Sequence, residues 1–197
     1  MTVVLEGTDL GYAVGDRRIL DGVFVRAPSG RVLGVRGPSG SGKSSLLTVL
    51  GGLIAPSNGT VTLDGAPVSP DSDLTVRRRF GFVLQGYGLV AALTARENVA
   101  IVLQAARVPR DQVRSRVQAV LESVRLAPVA DHLIEDLSGG QQQRVAVARA
   151  LFTQPDVFLA DEPTAELDDA SARAIRALIV QLARTEGTSV LLVTHDL

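Results

Sequence analysis

A stretch of nine residues constrains this chain more than anything else in it: Gly37-Pro38-Ser39-Gly40-Ser41-Gly42-Lys43-Ser44-Ser45. It lies between a short apolar run, Val32-Leu33-Gly34-Val35, and the largely apolar Leu46-Leu47-Thr48-Val49-Leu50. Strand, glycine-rich loop and helix in that order, with the spacing G-x4-G-K-S, form a phosphate-binding loop. The glycines let the backbone fold tightly, so successive N–H groups point into one concavity. The helix starting near Lys43 adds the positive end of its dipole. Lys43 then reaches the β- and γ-phosphates as a compact charge, and the Ser44 hydroxyl serves as a ligand for Mg²⁺.

Lys43 is the only lysine in the chain; the other basic residues are all arginine. A chain so biased toward arginine would carry one here as well if any cation served. A planar guanidinium is poorly shaped for a loop built around a point charge.

Composition narrows the remaining classes. The chain has 197 residues, 46% of them apolar, enough for one domain of ordinary size with its own core. A net charge of −1 gives no electrostatic case for nucleic-acid binding. The absence of cysteine excludes disulfides and thiolate metal sites. The start, Met1-Thr2-Val3-Val4-Leu5-Glu6, lacks the basic and apolar regions of a signal peptide. No apolar run approaches the roughly 18 residues that a membrane helix needs. A soluble protein is expected, with any membrane role exercised through a partner.

In chain order, residues 3–10 and 20–26 read as strands, with glycines at 7, 11, 15, 22 and 30 punctuating them. Tyr12 is either a half-buried sheet tyrosine or a face on which a nucleotide base stacks. Thr60-Val61-Thr62-Leu63 alternates as a strand and closes on the turn pair Asp64-Gly65. Arg77-Arg78-Arg79 reads as a solvated face. Phe80-Gly81-Phe82-Val83-Leu84 is a strand ending on Gln85, and Gly86-Tyr87-Gly88 reads as a flexible junction. Beyond it the pattern turns helical: Val113, Val117, Val120, Leu121 and Val124 mark one face, and a second helix runs from Gln141 through Phe152. Val157-Phe158-Leu159-Ala160 is uniformly apolar, as a strand covered on both faces must be, and stops on Asp161-Glu162. A helix through Ile175, Leu178, Ile179 and Leu182 precedes the last strand, Ser189-Val190-Leu191-Leu192-Val193, which runs into Thr194-His195.

Gln85, the Asp161-Glu162 pair and His195 thus each end a strand, as the phosphate loop does, and ligands bind at that edge of parallel α/β sheets. Asp161 is placed to supply a second Mg²⁺ ligand, and Glu162 to hold and polarise the attacking water. His195 is either a satisfied histidine at a sheet edge or a hydrogen-bond partner of the γ-phosphate. Leu137-Ser138-Gly139-Gly140-Gln141-Gln142-Gln143-Arg144 puts a serine and two glycines at a helix N-terminus, a second anion site or a capped turn. One nucleotide does not need two anion loops from one chain; a second copy facing the first would use it.

On these residues the chain is similar to the ATP-binding domain of an ABC (ATP-binding cassette) transporter. The resemblance is carried by the loop ending at Lys43-Ser44-Ser45, by Gln85, and by the signature Leu137-Ser138-Gly139-Gly140-Gln141. It continues through residues 157–162, Pro163-Thr164-Ala165-Glu166-Leu167-Asp168 and His195. It implies an α/β P-loop NTPase with a RecA-like parallel core (residues 1–85 and 151–197), an N-terminal antiparallel β region, and an inserted helical subdomain (residues 86–150). It implies ATP and Mg²⁺, with Tyr12 stacking on adenine, Gln85 coupling Mg²⁺ to the membrane partner, Glu162 as catalytic base and His195 on the γ-phosphate. Ser138, Gly139, Gly140 and Gln141 would complete the site of the opposite subunit, and Asp168 would lie in the loop crossing between subunits. The implied partners are a second copy of the chain and a separate transmembrane permease, with no nucleic acid, at the inner face of the cell membrane.

Within the family, Leu93-Thr94-Ala95-Arg96-Glu97-Asn98-Val99 and residues 159–164 resemble the branch serving lipoprotein release, macrolide export and cell division, and amino-acid importers look similar here. Gly88-Leu89-Val90-Ala91-Ala92 stands where His-Leu and Pro are common. The chain ends two residues past His195, where family members carry a further strand and helices, so a fragment or shortened copy is expected. Two other readings stay open: an ABC-type ATPase with a soluble partner, as in iron–sulfur assembly, and a nucleotide-binding switch with little turnover. DNA-repair relatives carry long insertions between loop and signature, for which fewer than 100 residues leave no room. Lys43→Arg weakens ATP binding although the charge is kept, as measured by titration with a fluorescent nucleotide.

Overall fold

The computed structural model describes residues 4–104 and 110–194. Two sheets organise it. The first is antiparallel: β1 (Val4–Val14) and β2 (Arg17–Pro28) form a hairpin, and β4 (Asn58–Leu63) and β5 (Ala66–Pro67) extend it in the order β2-β1-β4-β5. The second is parallel, in the order β3-β8-β7-β6, from β3 (Val32–Val35), β6 (Phe80–Val83), β7 (Val157–Asp161) and β8 (Ser189–Val193). Among the described residues six α-helices join them: α1 (Lys43–Leu50), α2 (Leu74–Arg77), α3 (Ala95–Gln104), α4 (Arg110–Ser123), α5 (Gly139–Phe152) and α6 (Asp169–Glu186). This is the α/β architecture of a P-loop NTPase, with α3, α4 and α5 inserted between strands β6 and β7.

The uniformly apolar strands are central, as expected. Every residue of β7 and β8 is buried. Their side chains alternate between faces. Phe158, Ala160, Val190 and Leu192 join the core that contains α5 and α6, while Val157, Leu159, Leu191 and Val193 join the core beneath α1 and the antiparallel sheet. Period-2 alternation with both faces apolar is what a strand covered on both sides requires. Strand β3 differs: its one neighbour among the described residues is β8, and Val32 and Leu33 stay more than a third exposed.

Three local expectations are corrected. The glycines at 7, 11 and 22 do not end strands; β1 and β2 run through them, and the register shifts between Gly7 and Tyr12 as bulges, with Asp9 in the left-handed region. A bulge absorbs an extra residue without ending the ladder. The basic run is not simply a solvated face, because Arg79 donates to both Asp64 and Asp156 and so ties the β4–β5 turn to the start of β7. Gly86-Tyr87-Gly88 is not a loose junction: Arg149 on α5 donates 2.6 Å hydrogen bonds to the carbonyls of Tyr87 and Gly88.

Phe158 is the largest side chain at the centre of the parallel sheet and is fully buried. Phe158→Ala lowers stability by about 3–5 kcal/mol, since a cavity forms between sheet and helices. The urea midpoint shifts accordingly, at an unchanged m-value.

Candidate nucleotide-binding and catalytic site

Helix α1 sets the site. It packs against β1, β2, β7 and β8, and Leu46, Leu47, Val49 and Leu50 are all buried. Both sheets therefore grip it, and its N-terminus cannot drift. Its N-cap, Gly42, lies in the left-handed region (φ 90°) and offers no side chain to the first turn, which also holds no acidic residue. The N–H groups there keep their capacity for an external anion. A Cβ on Gly42 would stand 2.9 Å from the Ile19 carbonyl oxygen, so no larger residue lets the loop lie against β2.

Lys43 donates from Nζ to the carbonyls of Gly37 (2.9 Å) and Pro38 (2.8 Å). The ammonium closes the loop on itself with two of its three protons and presents a point charge at the loop centre. Opposite it, β7 delivers Asp161, which is 8% exposed, and the chain then turns sharply at Glu162 (φ 51°). A non-glycine residue in the left-handed region persists only when its surroundings fix it. Here the Glu162 N–H donates to the Val193 carbonyl of β8 (2.9 Å), and the Glu162 carbonyl accepts from Gln143 Nε2 of α5 (2.7 Å).

These parts meet in one cleft of about 640 Å³. Ser39, Gly40, Ser41, Gly42, Lys43, Ser44 and Ser45 line it on one side, with Gln85, Asp161 and Glu162 on the other. Among the described residues no three of Asp, Glu, His or Cys gather to chelate a metal on their own. Ser44, Gln85 and Asp161 are instead a sparse set of hard oxygen donors, which suits Mg²⁺ held jointly with nucleotide phosphates and water.

Other expected residues fall elsewhere. Tyr12 does not line the cleft; it sits in the hairpin ladder opposite Leu20, half-buried against the core, while Arg17, Arg18 and Ile19 form that wall. Ser138, Gly139, Gly140 and Gln141 lie outside the cleft too. Ser138 caps α5, accepting from the Gln141 N–H (3.3 Å) while its own N–H donates to the Gln141 side chain (2.9 Å). This capping box is how Ser-x-x-Gln starts a helix. His195 lies outside the described residues. Asp168 is the N-cap of α6, and its hydrogen bonds from the Ser171 side chain and N–H hold its carboxyl below the usual range.

The cleft wall also holds residues that no sequence motif marks as part of a site, among them Arg17, Tyr87, Gln143 and Glu166. Gln143 and Glu166 stand inside the stretches 137–144 and 163–168, yet nothing in their spacing marks them. Gln143 is buried and bonds both ends of the Glu162 turn, its Oε1 accepting from the Glu166 N–H (3.1 Å). Burial pushes the Tyr87 phenol up to about 12, with the negative charge of Glu166 adding to the shift.

Fold and cleft together define a P-loop nucleotide-binding protein. The family described as ABC transporter matches residues 20–165, and the chain belongs to it. It is 42% identical to the lipoprotein-releasing system ATP-binding protein LolD of Bordetella pertussis, an alignment covering 98% of this chain and 87% of that protein. It is 41% identical to the methionine import ATP-binding protein MetN 2 of Paraburkholderia xenovorans, over 90% of this chain and 47% of that one. The chain thus spans about half the length of its methionine-import relatives. Among solved structures it is similar to the ATP-binding cassette MJ0796 in a dimeric post-hydrolysis state bound to ADP and Pi. That likeness has a TM-score of 0.90 at 36% identity, covering 98% of this chain and 88% of the other.

The signature glycines also do work within the chain. A Cβ on Gly140 would stand 2.8 Å from the Glu166 carbonyl oxygen, and one on Gly139 would overlap the Glu166 carboxylate. Gly140→Ala must push that backbone aside, so it lowers the stability of the nucleotide-free chain by about 1–3 kcal/mol. Thermal unfolding without nucleotide measures the loss.

Proposed function

We propose that this chain binds and hydrolyses ATP as the cassette subunit of an ABC transporter. The observation that carries the reading is the convergence of the Lys43 loop, Gln85, Asp161 and Glu162 on one cleft. Loop N–H groups, the α1 terminus and Lys43 hold the phosphates. Ser44, Gln85 and Asp161 would hold Mg²⁺, which when bound neutralises charge on the phosphate oxygens. Glu162 accepts a proton from water as the water oxygen attacks the γ-phosphorus and ADP leaves; the pinned turn keeps the carboxylate on that line. His195 donates to the γ-phosphate.

Two copies face each other across two ATP molecules. Each Ser138-Gly139-Gly140-Gln141 turn meets the nucleotide held by the other copy's loop. The dimeric MJ0796 cassettes, similar over nearly the whole chain, support this arrangement. The partner that moves cargo is a membrane protein; no helix among the described residues is long and apolar enough to cross a membrane. The cassette then works at the cytoplasmic face. Val90 and Ile101 offer apolar surface for it, and the buried Asn98 ties the Val90 segment to α3 through bonds to the Val90 N–H and carbonyl. Relatives from lipoprotein release and methionine import match at nearly equal identity. That fits a cassette that supplies the stroke while its partner selects the cargo. We favour the lipoprotein-release branch, whose relative is matched over most of its length.

Glu162→Gln tests the reading. ATP binding is retained, steady-state hydrolysis falls about 10²–10⁴-fold, and an ATP-dependent dimer accumulates on size exclusion. Turnover at the wild-type rate would remove Glu162 from the role of base.

A further inference from the structure

Three glutamines in a row, Gln141 to Gln143, stand in the first turns of α5, and each has a different partner. The Gln141 side chain accepts from the Ser138 N–H (2.9 Å), and Gln142 donates to the carbonyls of Ile134 and Leu137 (3.0 Å each). Successive helical positions point about 100° apart, and Gln143 is the one that turns toward the end of β7. It is 2% exposed, and its amide lies between two backbone groups of opposite polarity. Nε2 donates to the Glu162 carbonyl (2.7 Å), and Oε1 accepts from the Glu166 N–H (3.1 Å). Turned over, the amide would set donor against donor and acceptor against acceptor, so a single orientation satisfies both bonds.

The segment between those two groups is the one that needs holding. Glu162 has φ of 51°, a conformation that costs free energy for a residue with a Cβ and persists only when its surroundings fix it. Its N–H is tied to the Val193 carbonyl of β8 (2.9 Å). Its carbonyl also accepts from the Ala165 N–H (3.2 Å), a bond inside the turn that sets the turn's shape but not its place against the helices. Gln143 supplies that anchorage from α5, at both Glu162 and Glu166. The Glu162 side chain leaves from the strained residue itself, so any rotation of its backbone swings the carboxylate across the cleft. We propose that Gln143 is a positioning residue for ATP hydrolysis: its amide locks the Glu162 peptide and thereby the line along which the carboxylate meets the attacking water. Gln143 touches no reacting atom in this arrangement. Both bonds go to the Glu162 turn and not to the Lys43 loop, so their loss acts on the chemical step and leaves nucleotide affinity in place. The inference rests on the role given above to Glu162.

Steady-state hydrolysis by the full chain tests it. Gln143→Met keeps the length and bulk of the side chain and removes both polar atoms. It lowers kcat about 10–100-fold, the scale of a reacting group misplaced by up to about 1 Å, while KM for ATP stays within about twofold. The same change in a Glu162→Gln background separates positioning from general damage. With no carboxylate left to place, Gln143→Met lowers the residual rate by less than about twofold, whereas a lesion of the whole fold would multiply the two losses. Gln143→Asn covers the case in which the apolar variant does not fold. It keeps an amide one methylene too short to reach both partners, and kcat again falls at least about tenfold at constant KM. Wild-type kcat in the folded variant, a rise in KM at constant kcat, or equal losses in both backgrounds would each overturn the inference. Glu162→Gln by itself keeps the two levels apart. Wild-type turnover there sinks the reading of the site; full turnover in Gln143→Met beside a slow Glu162→Gln sinks the positioning role alone.

Discussion

The burial of α1 between two sheets is the constraint on which the rest of this structure depends. An eight-residue helix is marginal by itself, and this one lacks a side-chain cap. It persists because its leucines and valine fill the space between the hairpin β1–β2 and the strands β7 and β8. The site gains from what the helix lacks. With no capping side chain and no carboxylate in the first turn, the positive end of α1 stays open toward the cleft, and Lys43 closes the loop beneath it.

The catalytic side of the cleft is built on the opposite plan. Strand β7 is fully buried, and the chain leaves it through a strained turn instead of a relaxed one. Strain at Glu162 is tolerated because β8 holds its N–H and the buried Gln143 holds its carbonyl. A buried amide with both ends hydrogen-bonded contributes rigidity where an unsatisfied one would cost stability. Gln143 sits on α5, three residues past Gly140, so the helix that presents the signature turn also props the turn that presents Glu162. The side of the cleft proposed to perform chemistry and the surface proposed to meet a second copy are thus mechanically one piece.

That linkage gives the signature glycines two tasks. In the proposed dimer their backbone would meet a nucleotide held by the other copy. In this chain they also lie against Glu166, whose carbonyl and carboxylate occupy the space that side chains on Gly140 and Gly139 would need. The same absence of Cβ that lets a phosphate approach from outside lets the loop after Glu162 pack from inside. Substitutions at these glycines consequently act on stability as well as on pairing.

The sequence by itself determined the class of fold and most of the phosphate side of the cleft. The loop motif is local: spacing, glycines and a lone lysine specify a backbone shape over a few residues, so Gly37, Ser39 to Ser45 and the helix after them were legible without a structure. The apolar run at β7 and β8 likewise announced strands covered on both faces, and put Asp161 and Glu162 at their end. Tertiary structure decided what depends on distant residues meeting. It ran β1 and β2 through glycines that read as breaks, because pairing with neighbouring strands outweighs the local preference for a turn. It brought Arg17 from the hairpin to the nucleotide cleft and left Tyr12 in the ladder beside it. It brought Tyr87, Gln143 and Glu166, separated by tens of residues, into one path along the cleft wall, where Gln143 accepts from the Glu166 N–H. No periodicity encodes such a path, since each member is set by the packing of a different element, and only the assembled sheets and α5 place them within reach of one another.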